Sequence, residues 1–145
     1  VGGADPRKAA YADEIKALVT ELNLSDLVTF TGHRSDLKQI YAISSIVFSL
    51  SSTPESFGRT VAEALSIGTP VVGYSHGGVA EILAAQFPAG AVEKGSLKAL
   101  TDTVQSLLTQ STRPLPGPNV FEKAAMLQKT LDVYEMADAK RRTGL

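Results

Sequence analysis

No cysteine occurs in the chain, so disulfides and thiolate metal sites are excluded. The absence fits a reducing cytoplasm, which is the expected location. Histidine is scarce, with His33 and His76 the only two. They can be drawn with Glu55 as a metal set, but no ligand spacing supports it, and neither a metal nor another cofactor is expected. Excess charge of one sign is missing too: 14 Lys and Arg against 15 Asp and Glu leave a formal net charge of −1. A nucleic-acid binder needs a strong positive field, so nucleic acid is not an expected partner. The short basic run Lys140-Arg141-Arg142 reads as a solvated helix end, with membrane-surface contact as the second reading. No apolar run approaches the roughly 18 residues of a membrane span. A G-x-G-x-x-G turn after a strand is also lacking, which argues against a dinucleotide-dependent oxidoreductase.

What is present is ordinary globular material: 145 residues, 43% apolar and 20% charged, enough for a single domain with one core. The abrupt opening Val1-Gly2-Gly3 is expected to be the inside of a longer protein, cut within a domain. Short β-branched runs alternate with longer runs of helical spacing. Val1 reads as a strand end with Gly2-Gly3 as its turn, and Pro6 suits a helix start. Ile15, Leu18, Val19 and Leu22 recur on one helical face between Tyr11 and Asn23. Val28 to Thr31 reads as a strand ending at Gly32, and Ser35 as the cap of a helix over Asp36 to Ile43. Ile46 to Leu50 is a second strand, apolar enough for burial on both faces. After the polar loop Ser51 to Ser56, a helix is expected from Phe57 to Ile67, stopped by Gly68. Pro70 to Gly73 is a third strand. His76-Gly77-Gly78 is a turn into a short helix near Val79, and Gly90 to Val92 a small strand. Ser96 caps a helix to Leu108 with Leu97, Leu100, Val104, Leu107 and Leu108 on its apolar face. Residues 111–118 hold three prolines and read as a linker before a final helix, capped by Asn119 and running to Ala139. This rhythm predicts an α/β fold, a Rossmann-like parallel sheet with helices on both faces. Ligands of such sheets bind at the carboxyl ends of the strands, where the loops after Phe30, Leu50 and Gly73 should converge.

Within the second of those loops stands Glu55-Ser56-Phe57-Gly58-Arg59. A helix N-terminus offers unpartnered N–H groups and a partial positive charge, which makes it an anion site. Glycine lets a ligand approach the main chain. Phe57, Gly58 and Arg59 are therefore candidates to hold a diphosphate. Glu55 before the helix and Glu63 within it can accept hydrogen bonds from hydroxyls on either side. Helical geometry also allows a plain alternative: Glu63 falls about 200° from Val61, on the polar side beside Arg59, so an exposed Arg59–Glu63 pair accounts for both.

The string Glu55-Ser56-Phe57-Gly58-Arg59-Thr60-Val61-Ala62-Glu63-Ala64 resembles the E-x7-E signature of the group 1, or family 4, retaining glycosyltransferases of GT-B fold. The resemblance extends from Val1 to about Ala139. It implies that the chain is the C-terminal, donor-binding half of such an enzyme. By position, Glu55 would be the active-site contact to donor-sugar hydroxyls, Glu63 the contact to the ribose, and the main chain at Ser56, Phe57 and Gly58 the diphosphate cradle. Gly77-Gly78-Val79-Ala80-Glu81-Ile82 resembles the family's G-G-x-x-E-I element, a second close approach to the donor. Phe30-Thr31-Gly32-His33-Arg34 resembles the segment beside the nucleotide base, which brings in Gly32 and His33; Arg34 is also tempting as a phosphate clamp. Tyr134 resembles the family's closing aromatic, though a core contact is the better reading.

The implied activity is transfer of a sugar from a nucleotide diphosphate sugar to a glycan or lipid-linked acceptor, in the setting of polysaccharide synthesis. The implied partners are the donor and an N-terminal acceptor domain that this sequence does not contain, with peripheral membrane contact of the full-length enzyme. This fragment alone should be inactive. The competing reading is a non-catalytic nucleotide-binding or interaction module of the same fold. A glycosidase using Glu55 and Glu63 as its carboxylate pair fits poorly, because no water-activating partner is apparent.

Overall fold

A computed structural model describes residues 9–115 and 123–143. The turn expected at Gly2-Gly3, the start at Pro6, the last linker residues 116–118 and the Asn119 cap lie outside the described residues. The chain forms two compact units, Val1–Leu37 and Lys38–Leu145.

In the first unit, α1 spans Ala9–Glu21. It ends where Asn23 takes a left-handed φ of 54°. Asn23 N–H then donates to Thr20 O at 3.0 Å and Leu24 N–H to Val19 O at 2.9 Å, the paired bonds of a Schellman stop. Asparagine serves there because it tolerates that conformation better than most residues. The strand expected at Val28 to Thr31 is not formed. Val28 N–H is turned back to Leu24 O at 2.9 Å, and no described strand of this unit is available to pair with the segment. β-branched residues favour a strand only where a ladder exists to receive them.

The second unit opens within α2, Leu37–Ile43. It continues through β1 (Val47–Ser49), α3 (Arg59–Ser66), β2 (Val71–Tyr74), α4 (Gly77–Gln86), a 3₁₀ turn (Pro88–Gly90), β3 (Ala91–Val92), α5 (Leu97–Gln110) and α6 (Lys123–Thr143). The sheet is parallel with order β1-β2-β3. Val47 pairs with Val71, Ser49 with Gly73, and Tyr74 with Val92. Both crossovers step the same way across the sheet, so right-handed connections put α3 and α4 on one face. The two helices pack together and against β2, while α5 packs on β2 and β3.

The core is built on β2. Val71 and Val72 are fully buried, and Val61, Ala64 and Leu65 of α3 and Val79, Ile82 and Leu83 of α4 are buried as well. On α4 these fall at i, i+3 and i+4, one helical stripe. The stop expected at Gly68 is present: φ is 84°, Gly68 N–H donates to Leu65 O at 2.9 Å and Thr69 N–H to Ala64 O at 3.1 Å. Ser96 caps α5, its hydroxyl accepting from Ala99 N–H at 3.2 Å. β1 departs from the expectation of burial on both faces. It is an edge strand among the described strands, and Phe48 is 49% exposed. On α5, Leu97 and Leu108 are exposed rather than part of the packed stripe; Leu107 is buried. Helical spacing marks a stripe wider than the narrow contact α5 makes. Tyr134 is 69% exposed on α6, which overturns the core reading of that residue. Among the described residues no helix is long and apolar enough to cross a membrane.

Thr69 is a buried polar residue among these apolar neighbours, and its hydroxyl donates to Tyr41 O at 2.8 Å. This bond ties α2 to the start of β2. Thr69→Val keeps the shape and leaves that carbonyl with the Ser44 N–H at 3.0 Å, so a loss of about 0.5–1.5 kcal/mol is expected, read as a lower urea midpoint at unchanged m-value. An unchanged midpoint would show that the bond contributes nothing.

Candidate functional site

Two loops leave the carboxyl ends of neighbouring strands, one after β1 and one after β2. Their main chains are joined by a hydrogen bond from Gly78 N–H to Glu55 O at 2.8 Å. The main chains there run so close that side chains are excluded. A Cβ on Gly77 would lie 2.6 Å from Glu55 O, and one on Gly78 would lie 2.5 Å from Phe57 O. Gly77 carries in addition a left-handed φ of 57°. The Gly-Gly pair and the Glu55 string, read from the sequence as separate elements, thus form one seam. Behind it Val79 fills the space beside two further glycines: a Cβ on Gly58 would come within 3.1 Å of Val79 Cγ2, and one on Gly73 within 2.8 Å of Val79 Cγ1. Sequence reading passed over Val79, although a β-branched residue directly after Gly-Gly at a helix start was its signal.

The helix at this point starts later than expected. Phe57 and Gly58 precede α3, and Gly58 is its N-cap with φ 81° and ψ 47°. Its carbonyl accepts from Val61 N–H at 3.0 Å and from Ala62 N–H at 3.2 Å. Only a residue without a side chain adopts this conformation readily, so the glycine that permits close approach also sets the entry into the helix. Glu55, Ser56 and Arg59 are exposed, and Glu63 is half-buried. Arg59 Nε lies 3.4 Å from Glu63 Oε1, with side-chain exposures of 83% and 45%. The exposed pair allowed by helical spacing therefore exists. Pairs so exposed contribute about 0–1 kcal/mol.

Beneath Glu63 lies Tyr41, another residue missed in the sequence. It is buried, its hydroxyl is hydrogen-bonded to the Thr60 side chain, and the Glu63 carboxylate is near. Burial, reinforced by the Glu63 charge, holds its phenol above the ordinary value. Gly32 and His33 belong to the first unit. Gly32 takes φ 66° and His33 is exposed on the same loop. Arg34 is engaged by Asp36, with Nε 2.8 Å from Oδ1, and that hydrogen bond raises the guanidinium pKa further. Its guanidinium is thus committed to a neighbour in its own loop. Among the described residues no group of three or more His, Asp and Glu is assembled that could hold a metal ion.

Residues 1–127 match the family described as glycosyl transferases group 1. Over 127 residues the chain is 32% identical to a D-inositol 3-phosphate glycosyltransferase of Mycobacterium sp. (strain KMS), covering 86% of this chain and 27% of that protein. It is 40% identical over 83 residues to a mannosylfructose-phosphate synthase of Agrobacterium fabrum, covering 54% of this chain and 18% of that one. The fold is similar to a sucrose-phosphate synthase from Thermosynechococcus elongatus, with TM-score 0.77, 27% identity, and coverage of 94% of this chain and 37% of that one. It is also similar to Anabaena HepE in complex with UDP and glucose, with TM-score 0.71, 26% identity, and coverage of 99% and 39%.

Two outcomes test the local geometry. Gly78→Ala adds a methyl where Phe57 O stands, whereas Gly95→Ala at φ 80° meets nothing within 4 Å. The first should cost about 1–3 kcal/mol or more and the second only the left-handed penalty of about 1–2 kcal/mol. Equal urea midpoints for Gly78→Ala and the unmodified chain would show that the seam is not closed. For Tyr41, a pKa raised on folding means stability that is complete below the unfolded value of about 10 and is lost as pH rises through the folded one. The unmodified chain should therefore lose stability above about pH 10 more steeply than Tyr41→Phe. Parallel pH profiles of denaturation would show that Tyr41 ionises as in the unfolded chain.

Proposed function

Since this chain belongs to the group 1 glycosyl transferases, we propose that it is the donor-binding part of a retaining glycosyltransferase. Its parent moves a sugar from a nucleotide diphosphate sugar to a glycan or lipid-linked acceptor. The chain spans 27% of the length of the mycobacterial relative it matches, so turnover belongs to the longer protein, with a second domain supplying the acceptor. The observation that carries the reading is the seam. The Gly78–Glu55 hydrogen bond draws the two loops that bear the proposed donor contacts to one edge of the sheet, where ligands of parallel sheets bind. The Anabaena neighbour in complex with UDP and glucose supports a nucleotide sugar as the ligand class.

In this reading Glu55 accepts hydrogen bonds from donor-sugar hydroxyls and Glu63 from the ribose. The main chain from Ser56 to Gly58, with Arg59, faces the diphosphate. Gly77 and Gly78 let the donor lie against the backbone. When the bond from the anomeric carbon to the diphosphate breaks, its electron pair goes to the leaving phosphate oxygen. Charge developing there is stabilised by the positive end of α3 and by Arg59. That is electrostatic work, and it asks little of protein acids.

Titration of the chain with UDP and UDP-glucose, and with GDP and GDP-mannose, separates these roles. Each hydrogen bond to a carboxylate contributes about 1.5–3 kcal/mol, or roughly ten- to hundredfold in affinity. Glu55→Ala should abolish the gain of the nucleotide sugar over the bare diphosphate. Glu63→Ala should weaken both alike. Binding unaffected by both substitutions, or chemical-shift changes confined to residues away from 55–63 and 77–78, would overturn the site.

A further inference from the structure

Residues 51–57 are all exposed, so burial does not hold in place the loop that carries Glu55. Hydrogen bonds do, and they come from a short stretch after β2. At the loop's far end Gly78 N–H donates to Glu55 O at 2.8 Å. At its near end His76 Nε2 stands 3.0 Å from Ser51 O. A carbonyl oxygen only accepts, so Nε2 carries the proton. Both the neutral Nε2–H tautomer and the imidazolium can make this bond.

Between the two anchors, the Ser51 hydroxyl donates to Thr53 O at 2.8 Å and accepts from Thr53 N–H at 3.2 Å. Pro54 adds a fixed φ. The imidazole is itself secured. It is half-buried, and it meets the Tyr74 ring edge-on with centroids 6.1 Å apart and planes at 62°. The main-chain N–H of His76 donates to Tyr74 O at 2.8 Å. Tyr74 is the last residue of β2, so the sheet supports the ring and the ring supports the loop.

We propose that His76 is a positioning residue for the donor sugar: by holding the Ser51 carbonyl it fixes the start of the loop whose end presents Glu55. His76 acts through Glu55 and touches no part of the donor. This rests on the role given to Glu55 above. Held at Ser51 and at Glu55, the loop presents its carboxylate in one orientation. Held at Glu55 alone, residues 51–54 regain backbone freedom, and binding the sugar must then order them at its own expense.

The test compares His76→Phe, His76→Gln and Glu55→Ala in the full chain, titrated with UDP and UDP-glucose and with GDP and GDP-mannose. Phenylalanine keeps a ring against Tyr74 but has no donor. Glutamine lacks the ring but can offer an N–H to Ser51 O. His76→Phe should reduce the gain of the nucleotide sugar over the bare diphosphate by about two- to tenfold, the effect of one hydrogen bond. Bare diphosphate affinity should be unchanged and amide exchange at residues 51–53 faster. His76→Gln should restore most of the gain. In the Glu55→Ala background, His76→Phe should have no further effect. Equal loss for diphosphate and nucleotide sugar, or no loss with His76→Phe while Glu55→Ala abolishes the gain, would overturn the inference and leave the reading of Glu55 standing. A gain that Glu55→Ala does not diminish, or no binding of either pair, would overturn that reading and the inference with it.

Discussion

The contact between two main chains at Glu55–Phe57 and Gly77–Gly78 governs the rest of this site. A helix begins with N–H groups that have no helical acceptor. In α4 one of them, on Gly78, is satisfied by Glu55 O. The loop after β1 therefore serves as the cap of the helix after β2, since His76 makes no side-chain cap of its own. Close approach is the condition for that bond, and glycine at 77 and 78 is the condition for close approach. The same approach seats Val79 beside Gly58 and Gly73. The end of β2, the entry to α3 and the entry to α4 are thereby packed as one piece.

Rigid and exposed parts divide cleanly around this seam. β2 and the facing stripes of α3 and α4 are buried and close-packed, so they fix where the two loops depart. The residues with chemistry to offer stand in solvent, from Ser51 to Phe57 and at Arg59. A binding group must stay accessible, yet it must also be oriented. Here orientation comes from hydrogen bonds between the loops and from backbone conformations that only glycine adopts readily, at Gly58 and Gly77. The arrangement is economical in sequence: a short loop is positioned by the opening turn of the next helix.

Local chemistry was legible in the sequence, and tertiary approach was not. The glycine stop at Gly68, the serine cap at Ser96 and the parallel alternation of strands and helices each follow from one residue type or one period, and each is present. Val28 to Thr31 has the composition of a strand but no described partner in its unit, and composition cannot supply one. Phe48 reads as buried because it is apolar, but the strand that bears it is at an edge. α3 begins after Gly58 and not at Phe57, because the glycine that permits close approach has a left-handed φ that also delays the helix. His76 was visible as a residue but not as a brace. Its partner is the carbonyl of Ser51, and a main-chain oxygen carries no signature in a sequence. The joining of the Glu55 string to the Gly-Gly pair was hidden for the same reason.

The Arg59–Glu63 pair bears on how the proposed site works. Helical spacing offered the pair, and the family resemblance the ribose contact, as rival explanations of Glu63, and the pair is present at 3.4 Å. Its strength decides whether the two conflict. Both side chains are substantially exposed, so water screens them and the pair contributes at most about 1 kcal/mol. A hydrogen bond between a carboxylate and a bound hydroxyl contributes about 1.5–3 kcal/mol, enough to draw Glu63 away. Arg59, freed by that exchange, stands at the first turn of α3, where the helix already favours an anion. The ion pair is thus compatible with donor binding. It keeps two opposite charges from repelling or capturing other groups, at a strength that a ligand with a hydroxyl on one side and a diphosphate on the other can overcome. Below them Tyr41 of α2 is buried, with Glu63 and Thr60 of α3 near its hydroxyl.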